Sequence, residues 1–219
     1  MINKDYILRM AEKFGRALAI ILHLREYNKY EEALLYVDDQ LLQATGLTSS
    51  FINSVSDEML IQAISPLGVL SVEKCLWIAV LLKAEGEIYE EQAKTNESYY
   101  RYIRSLRLYL LLLPHEASLQ DSNLANDIQE LLNKLGEYEL PIEIQEKLFS
   151  YYENVGKYDK AEDVLFDVLD THSTNGEMIE RGRAFYTRLQ ARSDVELLMG
   201  NLSRTEVAEG SAQLEAKQH

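Results

Sequence analysis

The stretch "SYYENVGKYDKAEDVLFDVLD", residues 150–170, decides the fold. An aromatic pair, Tyr151 and Tyr152, leads to Gly156, and beyond it Tyr158, Ala161 and Leu165 recur at three- and four-residue steps. Apolar residues at that spacing share one face of a helix. A glycine between two such faces supplies a left-handed stop for the first. Pro141 fits the first position of the preceding helix, where its missing N–H costs nothing. The stretch therefore reads as a helical hairpin, 141–155 followed by 159–170.

Helical spacing extends outward in both directions. Phe14, Ala17, Leu18 and Ile21 place an apolar face on a helix over 4–23, and a second helix over 31–43 stops at Gly46. Residues 48–65 predict two short helices, the second begun by Ser56 as N-cap and ended by Ser65-Pro66. Ser71 caps a long helix over 72–94, and another over 99–113 ends at Pro114. Further helices are predicted over 122–135 and 176–191, and Ser193 and Glu196 have the spacing of a capping box for a short last one. Residues 203–219 are polar and weakly patterned and are expected to fray. With no strand candidate, the expected fold is all-α: one domain over 1–202, about ten helices stacked as antiparallel pairs.

At 219 residues the chain is long enough for one domain with a core or for a short solenoid. It carries 36 acidic against 22 basic residues, a net charge of −14. Such a chain repels phosphate backbones and anionic lipid surfaces, so nucleic acid and membrane are not expected as partners. Cys75 is the one cysteine, which excludes an intramolecular disulfide and a cysteine-based zinc site, and its setting "EKCLWIAVLL" reads as buried. The first residues do not read as a signal peptide, and the apolar runs "LWIAVLL" and "LYLLLL" are too short to span a bilayer. A cytoplasmic protein is expected.

The stretch "KLFSYYENVGKYDKAEDVLFDVL" resembles a tetratricopeptide repeat, a helix–turn–helix unit of roughly 34 residues. Leu148 and Tyr152 match the apolar positions of the first helix, Gly156 and Tyr158 the turn, Ala161 the small residue where the helices cross, and Leu165 the large residue one turn later. Gln145 and Phe149 depart from the pattern, and Phe149 predicts an altered packing angle. "LREYNKYEEALLYV" aligns with this unit: Asn28 with Gly156, Tyr30 with Tyr158, Ala33 with Ala161 and Val37 with Leu165. A third pair joins "AEGEIYEEQ" to "RYIRSLRLYLLLL", with Gly86 and Tyr89 serving its first helix and Ser105 and Tyr109 its second. The run "NKDYILRMAEKFGRALAIIL" resembles the start of an uncharacterised bacterial family with tetratricopeptide-like helices. These resemblances imply a short right-handed superhelix that acts by holding another protein.

Catalysis should leave a nucleophile, an acid–base pair or a metal constellation. The histidines at 23, 115, 172 and 219 share no helical spacing and have no HExxH neighbour. His23, inside an apolar helix, reads as a core or boundary residue. Glu87 and Glu91 share a face at i,i+4 and could hold a divalent ion, which makes a metal-dependent helical enzyme the alternative reading. Ion pairing with Arg101, Arg104 and Arg107 on the partner helix is preferred. No enzyme activity and no cofactor are expected.

Helical phase points Glu146, Ser150, Glu153 and Asn154 away from the packing residues of the hairpin, toward a groove. Two carboxylates there predict an acidic groove that favours a basic or apolar protein segment. The acidic stretch 121–170 precedes Arg181, Arg183, Arg188 and Arg192. This polarity would serve either stacking within the chain or head-to-tail association, with a homodimer as its simplest product. The sequence thus predicts a non-enzymatic protein-interaction or regulatory module, with a structural homo-oligomer as a further alternative.

Overall fold

The computed structural model describes residues 4–118, 124–136, 138–171 and 176–217. Among these, every regular element is helical, and neighbouring helices pack as antiparallel pairs. The expected single domain divides into two compact units, Met1–Glu139 and Leu140–His219. The start predicted at Ser122 for a helix lies outside the described residues.

The first unit contains α1 (Lys4–Glu26), α2 (Tyr30–Thr45), α3 (Ser49–Ser54), α4 (Asp57–Ala63), α5 (Val72–Glu91), α6 (Thr95–Leu112) and α7 (Leu124–Lys134). Side chains of Thr48, Ser56 and Ser71 accept hydrogen bonds from the backbone N–H three residues on, which starts α3, α4 and α5 at these caps. Helix α5 is apolar on almost every side, and Cys75 through Ala79, Leu81 and Leu82 are all buried. The stretch 75–82 has no polar face and must be covered all round, and α5 packs against α1, α2 and α6. Gly86 lets α6 close on it, because a Cβ there would lie 2.6 Å from Cδ1 of Tyr102. One turn along, the Ser105 hydroxyl donates to the Ala79 carbonyl at 2.7 Å. On α1, Ala17 and Ile21 are buried as expected, but Leu18 is exposed.

Burial pushes the Cys75 thiol up to about 12. The thiolate is the reactive species, so Cys75 in the folded protein is expected to resist a thiol-specific disulfide reagent at pH 8. Complete labelling within the mixing time, without denaturant, would contradict that burial.

Four helix-to-helix turns share one geometry. Asn28, Ala93, Gly156 and Asn201 each adopt a left-handed backbone, with φ of 56, 57, 73 and 61°. In each case the next residue's N–H reaches five residues back: Lys29 to Leu24, Lys94 to Tyr89, Lys157 to Tyr152 and Leu202 to Leu197, at 2.9–3.1 Å. This pattern satisfies carbonyls left open at a helix end. The predicted equivalence of Asn28 with Gly156 therefore holds at the backbone, and Ala33, Val37, Ala161 and Leu165 are all fully buried. In the third pair Ser105 and Tyr109 of α6 are fully buried, as expected of packing residues. Counting from Ala93, the positions of Ala161 and Leu165 fall on Ser98 and Tyr102, which are also buried.

The second unit contains α8 (Ile142–Asn154), α9 (Tyr158–Thr171), α10 (Gly176–Gln190), α11 (Asp194–Met199) and α12 (Arg204–Ala216). Pro141 is the N-cap of α8 rather than its first residue, and its carbonyl accepts the N–H groups of Ile144 and Gln145. The predicted capping box of Ser193 and Glu196 starts α11. The expected frayed tail is instead α12, which has a second capping box from Ser203 and Glu206 and buries Val207, Gly210 and Leu214. Two glycines make that packing possible. A Cβ on Gly182 would sit 2.9 Å from Leu214, and one on Gly210 would strike the Glu162 carboxylate and the Tyr186 hydroxyl. Helix α12 thus closes over the hydrogen bond that Tyr186 donates to Glu162 at 2.6 Å.

Candidate functional site

The hairpin of α8 and α9 is tied together by its packing residues. Leu148, Tyr152, Tyr158, Ala161 and Leu165 are all buried, and Gly156 makes the turn. Phe149, the departure from the repeat pattern, meets Phe185 of α10 edge-on at 5.3 Å, with the Arg181 guanidinium over its ring. Both α8 and α10 therefore turn a polar row toward a common side.

Between those rows lies a cleft of about 730 Å³. Ser150, Glu153, Asn154 and Val155 contribute from α8 and its end, and Arg188, Leu189 and Arg192 from α10 and its end. Three of the four predicted groove residues come together here, and Glu146 does not line the cleft. Its carbonyl instead accepts from Arg181, whose same nitrogen donates to the Ser150 hydroxyl, both at 2.8 Å. Glu153 receives Arg188 through two parallel hydrogen bonds of 2.6 and 2.9 Å. That bond holds the Arg188 guanidinium above its ordinary value. Arg192 extends the α10 wall and pairs with Glu196 at 3.1 Å.

The acidic groove expected from α8 alone is thus corrected. Two guanidiniums stand in the cleft against one carboxylate. The signal was present as Arg181 and Arg188, seven residues apart on one face of α10, with Arg192 just past its end. Arg181 and Arg188 tie α10 to α8 within the chain, as Arg183 ties it to α12 through Glu215 at 2.8 Å.

A sequence model of one protein family matches residues 1–219. The chain belongs to that family, a family of unknown function (DUF6483). A search of curated proteins finds no match, and neither does a search of solved structures.

In this DUF6483 member the acid run on α5 is taken up by neighbouring helices. Glu87 and Glu91 both pair with Arg25 of α1, Glu91 at 2.7 Å, rather than with α6 as expected. Glu90 receives Lys134 of α7 and the Tyr102 hydroxyl. Glu85 is buried and accepts the Ser49 hydroxyl at 2.8 and 2.9 Å, with Arg101 at 3.4 Å. Burial pushes the Glu85 carboxyl up, partly offset by Arg101 and Ser49. Among the described residues, no three His, Cys, Asp or Glu side chains gather as metal ligands. His23 is exposed, its ring edge-on to Tyr27 at 4.8 Å, so its expected core or boundary place is corrected to the surface. His172 and His219 lie outside the described residues. No helix among the described residues is long and apolar enough to cross a membrane.

Proposed function

We propose that the chain is a non-enzymatic protein-binding module of tetratricopeptide-like type, acting in the cytoplasm, and that its cleft between α8 and α10 takes a segment of a partner protein. The observation that carries this reading is the cleft itself. It is open, its charged groups are pre-oriented by the Glu153–Arg188 pair, and Val155 is 46% exposed beside them. The four shared turns support the repeat character.

With Glu153 engaged by Arg188, the chemistry favours an apolar side chain of the partner over Val155. Asn154 and Arg192 would donate to its backbone carbonyls. A purely basic segment would meet Arg188 and Arg192 and is disfavoured.

Affinity capture from lysate of the source organism tests this reading, comparing wild type with Val155→Asp. Val155 is exposed enough for the variant to fold. A protein held by wild type is expected to be reduced at least about tenfold with the variant, since about 1.4 kcal/mol suffices for that factor. Equal recovery from both would remove the cleft as the binding surface.

A further inference from the structure

Helix α11 turns its wider apolar side outward. Of its four apolar side chains only Leu197 is buried, while Val195, Leu198 and Met199 stand 67, 65 and 83% exposed. Positions three and four residues apart share one helical face, so these three form a single apolar surface. A surface helix ordinarily turns such a face to the core. Here the helix cannot roll to hide it. The capping box of Ser193 and Glu196 fixes its first turn, and the Leu202 N–H closes on the Leu197 carbonyl at 3.1 Å beyond its end. Gly200 is seated against Gly156 and Tyr158, and Arg204 of α12 reaches back to Asp194 at 2.8 Å. The face is therefore rigid before anything binds, which lowers the ordering cost of association. None of its three residues lines the α8–α10 cleft, so it stands apart from the reading above.

Charge and area select a second copy of this chain as what covers the face. At a net charge of −14, two copies repel wherever acid meets acid. Around α11 the charges cancel, because Arg192 pairs with Glu196 at 3.1 Å and Arg204 with Asp194. Helix α9, by contrast, exposes Asp163 and Asp167 one turn apart. Identical copies can therefore meet at α11 without bringing excess like charge together. Three side chains exposed to this degree present on the order of 400 Å² of apolar surface. With a polar rim in the usual proportion, that gives roughly 650 Å² per partner, inside the range of stable interfaces.

We infer that the outer face of α11 is an isologous dimer contact, in which Val195, Leu198 and Met199 of one copy pack against the same three residues of a second. The contact is apolar at its centre and neutral at its rim.

Sedimentation equilibrium of the full chain tests this, at about 0.15 M and about 0.5 M sodium chloride. A 25.2 kDa monomer in reversible exchange with its dimer is expected. The dissociation constant should be on the order of 10 µM, as for a contact at the small end of the stable range. It should hold or tighten at the higher salt, because screening relieves repulsion between the two acidic copies and leaves apolar packing in place. Leu198→Asp and Met199→Lys are each expected to raise it at least about tenfold. Both side chains stand in water, so both variants keep the fold, which circular dichroism checks. Val69→Asp, at a 70% exposed position of the first unit, should leave the constant unchanged. A chain that stays monomeric up to roughly 200 µM, well above the expected constant, would overturn the inference. So would a dimer dispersed by the higher salt, or one that tolerates both α11 variants.

Discussion

Removing residues 203–219 is expected to destabilise the second unit by about 3–6 kcal/mol, since burying an aliphatic side chain contributes about 1.5–3 kcal/mol and α12 buries both Val207 and Leu214. The loss extends to what α12 covers. Leu165 and Gly182 would be opened on one side, and so would the hydrogen bond between Tyr186 and Glu162. Burial pushes the Glu162 carboxyl up, and the Tyr186 hydrogen bond works against that shift, so opening the site would bring the group back toward its ordinary value. Urea unfolding followed by circular dichroism measures the effect. A truncated chain with an unchanged midpoint would show that the tail contributes nothing.

Gly200→Ala is expected to cost about 3 kcal/mol, the upper end of ordinary overpacking. Gly200 has φ −88°, so its backbone would accept any residue, and space is what forbids a side chain. A Cβ would lie 2.7 Å from the Gly156 carbonyl oxygen and 2.8 Å from Cγ of Tyr158. Neither can yield easily. Gly156 is fixed in its left-handed turn, and Tyr158 is buried at the start of α9. The same contact brings the Asp159 N–H to the Gly200 carbonyl at 3.1 Å and the Asn201 side chain to Asp159 at 2.9 Å. Wedging it open would therefore also loosen the first turn of α9. The melting temperature should fall by on the order of 10 °C, whereas Gly176→Ala, which meets nothing within 4 Å, should barely move it. Equal melting temperatures for the two variants would refute this account of Gly200.

The all-helical fold was legible because the strongest local signals agree with the packing. Ser56, Ser71 and Ser193 cap the helices that they were expected to cap, and Gly46 and Gly156 end theirs with positive φ. Two kinds of information were hidden. Ala93 takes the same left-handed turn as Gly156, but an alanine gives no hint of it. In α12 the signal Ser-x-x-Glu at 203–206 was present, yet Gly210 inside the segment lowers helical propensity. Its reason for being there, the close approach of Tyr186 and Glu162, exists only in the folded unit. The candidate site follows the same rule. Ser150, Glu153 and Asn154 could be placed by helical phase, whereas the charge of their cleft was set by α10, more than thirty residues away. Local phase fixes which residues face outward, and only tertiary pairing fixes the field that they present.

The most direct test of the binding cleft is a photo-crosslinker, benzoylphenylalanine, placed at Asn154, which lines the cleft and is exposed. The control position is Leu35, 69% exposed in the first unit. After irradiation in lysate of the source organism, the account predicts one discrete crosslinked protein at 154 that is missing at 35. No product at 154, or the same products at both positions, would contradict the claim that the α8–α10 cleft holds a partner.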